Sequence, residues 1–343
     1  MPASPLSWKL GVEVELLAPP GRSRRDLADH VAAAAAGTVR RIFYPQAENA
    51  LVPGVPVFET LTLGFAAQDA AGRPLGRFVD DLTLQTDLAA KAPPKPGWYR
   101  IAADDARLAR LIARHCDAEA PLDRVLEPAR ALFGGDLTPH DGGIWRLSDP
   151  AGASIALAAP LPGERERPCE VITEPIASDH ARALDTLLAP ARDLGFLLPD
   201  EGAVHLHFDG RPLASAPVLQ RLVRVLAEHA SSLRRICRTN PKCRRLGPFG
   251  QDLLQAIFAP DFAGLPWEAA RQRLAAAGAT KYCDVNIRNL LSGDPAKFTL
   301  EVRILGPTLD TDEILDRARM FEDILRDAVA GADVISPGPD AIS

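Results

Sequence analysis

The sequence predicts an α+β fold: a mainly antiparallel, curved sheet with a carboxylate-lined concave face and helices packed on the other face. Three observations predict it. Helical and strand-like runs are mixed without the regular β–α–β alternation that builds a parallel sheet. Four strand-like runs, far apart in the chain, alternate between apolar and ionic residues, so each has two chemically different faces. Several longer runs place apolar residues at spacings of three and four, the period of a helix with one buried stripe.

Taken in order, Gly11 to Leu16 reads as the first strand, and Arg24 to Ala36 as a helix closed by Gly37 in a left-handed cap. Strands are expected at Thr38 to Tyr44, Val57 to Phe65 and Arg77 to Leu84, with Pro- and Gly-rich turns between them. Ala92-Pro93-Pro94-Lys95-Pro96-Gly97 marks a loop, followed by helices over Asp104 to Cys116 and Leu122 to Leu132. Further strands are expected at Gly143 to Asp149, Ser154 to Leu161, Pro168 to Glu174, Ala203 to Asp209, Tyr282 to Leu290 and Phe298 to Leu305. Amphipathic helices span Asp179 to Leu194, Ala216 to Ala230 and Asp312 to Val329. The Pro- and Gly-bearing segment 335–343 reads as a frayed tail.

With 343 residues, 47% apolar and 24% charged, the chain has the composition of a globular protein with a substantial core. Its net charge of −6 gives no positive field overall, so neither nucleic acid nor a membrane surface is an expected partner. No apolar run approaches the ~18 residues of a spanning helix. The start has no basic leader with an apolar block, because Glu13 and Glu15 interrupt it, which reads as cytoplasmic. Five cysteines with no CxxC spacing point to reduced thiols rather than disulfides or a zinc ribbon.

The chemistry lies in the ionic faces. In Gly11 to Leu16, Glu13 and Glu15 oppose Val12, Val14 and Leu16; in Val204 to Asp209, His205, His207 and Asp209 oppose Val204, Leu206 and Phe208. In Tyr282 to Arg288, Tyr282, Asp284, Asn286 and Arg288 share a face, and in Phe298 to Ile304 the set is Thr299, Glu301 and Arg303. A solvated sheet face also alternates, but it usually carries Lys, Thr and Ser rather than Glu-x-Glu, His-x-His and Glu-x-Arg. Two carboxylates on one strand face stand roughly 7 Å apart at their Cα atoms, and their repulsion favours a cation between them. Glu170 and Glu174 supply a further carboxylate pair. Carboxylates with imidazole suit Mg²⁺ or Mn²⁺ better than structural zinc, and Arg288 and Arg303 could hold phosphate oxygens in their planar forks.

Read in order, Gly11-Val-Glu-Val-Glu15, Trp145-x-Leu-x-Asp149, Glu170-Val-Ile-Thr-Glu-Pro175, Val204-His-Leu-His-Phe-Asp209, and Asn286 through Glu301-Val-Arg303 resemble the amidoligase family. That family belongs to the carboxylate–amine ligase superfamily, built on the glutamine-synthetase fold. The resemblance runs from residue 8 to about 325. It implies one glutamine-synthetase-like catalytic domain over 8–330, elaborated at about 53–141, which joins a small-molecule or peptide carboxylate to an amine. ATP and Mg²⁺ (or Mn²⁺) would be required, with an amide or isopeptide bond forming through an acyl phosphate. Carried over by position, Glu15, Glu170 and Glu174 would hold one metal, with either Glu170 or Glu174 as the direct ligand. Glu13, His205 and Glu301 would hold the other. His207 and Arg303 would face the transferred phosphate, Asn286 and Arg288 would join them at the nucleotide, and Asp149 or Asp209 would accept the amine's proton.

Two other readings stay open. His205-x-His207-x-Asp209 also fits a dinuclear metal-dependent hydrolase, although only His229 follows as a further imidazole. A catalytically silent relative that binds a nucleotide or peptide would keep the fold without converging ligands. The basic run Arg234, Arg235, Arg238, Lys242, Arg244 and Arg245 is either a solvated helix end or an anion site.

Overall fold

The alternation seen in the sequence becomes a set of strands whose apolar residues are almost wholly buried: Val204, Leu206, Phe208, Leu300, Val302 and Ile304 each keep 1% or less of their surface exposed. The computed structural model describes residues 6–47, 59–103, 105–243 and 245–331. The expected frayed tail at 335–343 lies outside these, as do the first two residues of the expected strand from Val57.

Among the described residues there are twelve strands and ten α-helices. In chain order they are β1 (Leu10–Leu17), α1 (Arg24–Ala34), β2 (Thr38–Ala47), β3 (Glu59–Gln68), β4 (Pro74–Val79), β5 (Tyr99–Ala103), α2 (Ala106–His115) and α3 (Glu127–Phe133). Then follow β6 (Asp136–His140), β7 (Ile144–Ser148), β8 (Ser154–Pro160), β9 (Pro168–Thr173), α4 (His180–Asp193), β10 (Val204–Asp209), α5 (Ala216–Glu228) and α6 (Ala230–Ile236). The last are α7 (Gln251–Ile257), α8 (Trp267–Ala276), β11 (Val285–Asn286), α9 (Arg288–Leu291), β12 (Thr299–Leu305) and α10 (Thr311–Ala330). No described helix is long and apolar enough to cross a membrane.

The chain divides into two units. The first takes the residues up to Val14, Thr173–Leu188 and everything from Glu201 onward; the second takes Glu15–Ile172 and Ala189–Asp200. In the first unit the strand order is β11-β12-β10-β1, with each pairing antiparallel. In the second, β9 is followed by β4, β3, β5, β8, β7 and β6. Here β3 is the hub: β2 pairs along its whole length, while β4 and β5 pair with its two halves. The fold class is therefore the expected α+β with antiparallel pairing.

Four local expectations need correction: β4 spans Pro74–Val79 instead of running to Leu84, α3 begins at Glu127 instead of Leu122, and two more differ in kind. Helix α1 stops at Ala34 and the left-handed residue is Ala36, with φ of 49°, not Gly37. Gly37 is required for a different reason: a Cβ there would stand 1.8 Å from the Gln68 carbonyl oxygen, because β2 starts hard against the end of β3. The run from Tyr282 to Leu290 forms only the two-residue strand β11 before turning into α9. The cause is Asn286, whose Oδ1 accepts the Arg288 amide at 2.8 Å and so starts a turn. Arg288 is consequently exposed at a helix start rather than on a strand face.

Candidate metal and anion site

Strand register brings the ionic residues of the first unit together. Glu13 stands opposite His205, His207 opposite Glu301, and Glu301 opposite Asn286. Directly paired residues project to the same side of a sheet, so three cross-strand pairs place five polar side chains on one face. Gly11, opposite His207, adds no side chain over the ring.

The contacts are close. Glu13 Oε2 lies 3.2 Å from His205 Nδ1 and 3.2 Å from His207 Nε2, and His205 Nδ1 lies 3.8 Å from Glu301 Oε1. Glu13, His207 and Glu301 each offer one ligand atom, all within 4.8 Å of one another. The outer partners orient this set: Asn286 Nδ2 donates to Glu301 Oε2 at 2.6 Å, the Arg303 guanidinium pairs with Glu301 Oε1, and Thr299 Oγ1 lies 3.4 Å from His207 Nδ1. Such outer-shell bonds fix the rotamers of ligating groups.

The electrostatics follow from crowding opposite charges in a buried place. Burial would raise the Glu13 carboxyl, but the two imidazoles override it and hold it well below the ordinary carboxylate range. Glu301 is likewise held low despite burial, by His207 and then Arg303. Burial would lower His207, yet Glu13 and then Glu301 push it up to about 9. The cluster thus demands a positive charge among its oxygens, and a divalent ion that displaces the ring proton meets that demand. Two carboxylates and an imidazole are a donor set that Mg²⁺ or Mn²⁺ accepts, so the residues fit the implied metal.

A basic array adjoins Glu301. Lys281 is held below the ordinary lysine range, first by burial and then by Arg245 and Arg303, with Arg288 adding to them. Lys281 Nζ and the Arg245 guanidinium lie 5.4 Å and 5.8 Å from the centre of the Tyr282 ring. The residue-by-residue reading missed Lys281, because a lone lysine in a loop carries no periodic signal. Part of the basic run has another role: Arg234 is bound bidentately to buried Asp284, with Nε donating at 2.7 Å, and Arg238 reaches Glu313 at 3.4 Å.

The remaining candidates are placed as follows. Asp209 ends β10 with its carboxylate engaged by Arg211, whose Nε donates at 2.9 Å. Burial would raise its pKa, but Arg211 lowers it overall. Asp149, in the second unit, closes the β7–β8 hairpin by accepting the Ala153 amide at 2.8 Å. Glu15 is buried and Glu170 half-buried on the neighbouring strands β1 and β9 of the second unit, while Glu174 is half-buried in the first.

Fold and site together define an α+β protein with a carboxylate–imidazole cluster suited to a divalent cation and, beside it, basic side chains suited to an anion. Residues 6–324 match the family described as "putative amidoligase enzyme", and the chain belongs to that family. No curated protein and no solved structure matches it.

Proposed function

We propose that the protein is an ATP-dependent carboxylate–amine ligase of glutamine-synthetase-like fold. The observation that carries this reading is the convergence of Glu13, His207 and Glu301 next to Arg303, Lys281 and Arg245. An enzyme that joins a carboxylate to ATP must bring two anions into contact, and this arrangement supports both cation and phosphate binding.

In this reading Glu13, His207 and Glu301 would hold a divalent ion, His207 taking the ligand place that the resemblance gives to His205, which supports Glu13; Glu15 and Glu170 of the second unit keep their part in the second cation that the family pattern implies. When bound, the ion neutralises phosphate oxygens. Arg303 and Lys281 draw the γ-phosphate. A carboxylate oxygen of the acyl substrate attacks the γ-phosphorus, the bond to the β–γ bridging oxygen breaks, and ADP leaves. The amine then adds to the acyl phosphate carbonyl, phosphate departs, and the amine's proton passes to a carboxylate. Asp209 lies in the same unit as Glu13, His207 and Glu301, whereas Asp149 is in the second unit with its oxygen held in a turn, so Asp209 is the acceptor of the two and has first to part from Arg211.

The test supplies ATP, Mg²⁺ and hydroxylamine as a general amine, with a panel of amino acids, dicarboxylates and peptides. ADP and hydroxamate should form in equal amounts with at least one carboxylate, and Glu301→Gln, which keeps the side-chain volume beside Asn286 and Arg303, should abolish both in protein that still unfolds cooperatively. Amide hydrolysis without ATP would instead favour the hydrolase, and nucleotide binding with no turnover across the panel would favour a silent relative.

A further inference from the structure

The second unit contains a cavity of about 520 Å³, within the roughly 300–1,000 Å³ of small-molecule sites. Its walls come from three strands and one loop: Arg41 on β2, Tyr99 on β5, Trp145 on β7, and Glu119, Leu122 and Asp123 from the segment joining α2 to α3. Tyr99 forms a rigid base, because its hydroxyl shares its one proton between the carbonyls of Ala118 and Ala120, 3.1 and 2.9 Å away, and its ring is buried. That same pair of bonds ties the joining segment to the sheet, so the cavity is preformed. Trp145 and Leu122 are half-buried, leaving apolar surface toward the opening.

The charges decide the ligand. Arg41 and Glu119 form an ion pair, with Arg41 Nε 3.8 Å from Oε2, the Arg41 backbone amide donating to Oε1 at 2.9 Å, and Nη1 donating to the Ala118 carbonyl at 3.4 Å. Asp123 has no ion-pair partner among the described residues, so the charges of Arg41, Glu119 and Asp123 leave the lining, which also holds the Trp145 indole, with one net negative charge. A carboxylate next to an aromatic face is the recognition chemistry of an organic cation, since both the charge and the ring quadrupole attract it. We infer that this cavity binds a small organic cation, a primary ammonium or guanidinium on an apolar body, with Asp123 and Trp145 as its charge and ring contacts.

The test is a titration of the full-length ¹⁵N-labelled protein, following the Trp145 indole N–H signal, assigned with Trp145→Phe. The probes are phenethylammonium, the neutral phenethyl alcohol and the anionic phenylacetate. The cation should shift the signal saturably, at least tenfold more tightly than either of the others, and Asp123→Asn should weaken it tenfold or more while the amide spectrum stays dispersed. Asp123 is exposed, so its replacement leaves the core intact. Absence of a saturable shift with the cation, equal or tighter binding of phenylacetate, or unchanged binding in Asp123→Asn would each overturn the assignment.

Discussion

Glu301 has both carboxylate oxygens held by neighbours, one by Asn286 and one by Arg303, and this defines what each neighbour does. Asn286 is 3% exposed and acts on Glu301 rather than standing free to meet a nucleotide. Asn286→Ala should therefore weaken Mn²⁺ binding about 10- to 100-fold, the usual effect of losing an outer-shell partner, which electron paramagnetic resonance of the bound ion would report. Unchanged affinity would remove Asn286 from the site. Arg303 stands between two roles, an ion pair with Glu301 and a contact to the transferring phosphate. Lysine keeps the charge but loses the fork, so on the proposed function Arg303→Lys should lower kcat by roughly 10²-fold or more with little change in melting. Normal kcat with lost stability would leave only the ion pair. At this scale the sequence displayed which face Glu13, His205, His207, Glu301 and Arg303 occupy, because a period of two is intrinsic to a strand. It did not display partners, such as Asp284 for Arg234 fifty residues away, since that pair depends on where α6 packs beside the residues leading into β11.

At the scale of elements, the strongly periodic runs β1, β10, β12, α5 and α10 lie where the pattern puts them. The failures have local physical causes. A side-chain hydrogen bond from Asn286 cuts β11 to two residues, against a run of apolar alternation that would otherwise extend it. Arg24, the first residue of α1, is fully buried: its nitrogens donate to the Leu63 and Arg165 carbonyls at 2.8 and 2.6 Å, and it lies over the Trp98 ring. Nothing near Arg24 in sequence announces those acceptors. Gly37 looks like a helix cap but serves the close approach of β2 to the Gln68 carbonyl. Since a backbone atom cannot yield as a flexible side chain can, Gly37→Ala should destabilise the protein by about 1–3 kcal/mol or more, the range for forced overpacking. Urea unfolding checks this; a change below about 0.5 kcal/mol would mean that the junction relaxes freely.

For the molecule as a whole, the division into two units has no local sign: β1 passes from one to the other between Val14 and Glu15, with neither glycine nor proline at the crossing. Within the first unit the amino-terminal segment is tied to α10 by Glu322, which accepts the Ser7 amide at 3.1 Å, its hydroxyl at 2.6 Å, and the Arg326 Nε at 2.9 Å. Burial would raise the Glu322 carboxyl, but these donors lower it below the ordinary glutamate value. A depressed carboxyl adds stability that is complete above its unfolded pKa of about 4.3 and is lost as pH falls through the folded value. Glu322→Gln should therefore lower Tm at pH 7 and flatten the decline of Tm below about pH 4.5; an unchanged acid limb would mean that Glu322 contributes nothing to it. Activation of a carboxylate by ATP leaves its trace in the oxygen atoms of the released phosphate. With the acyl substrate labelled with ¹⁸O in its carboxylate, the ligase account predicts one ¹⁸O atom in each phosphate released alongside ADP and amide. Phosphate carrying only unlabelled or solvent oxygen would contradict it.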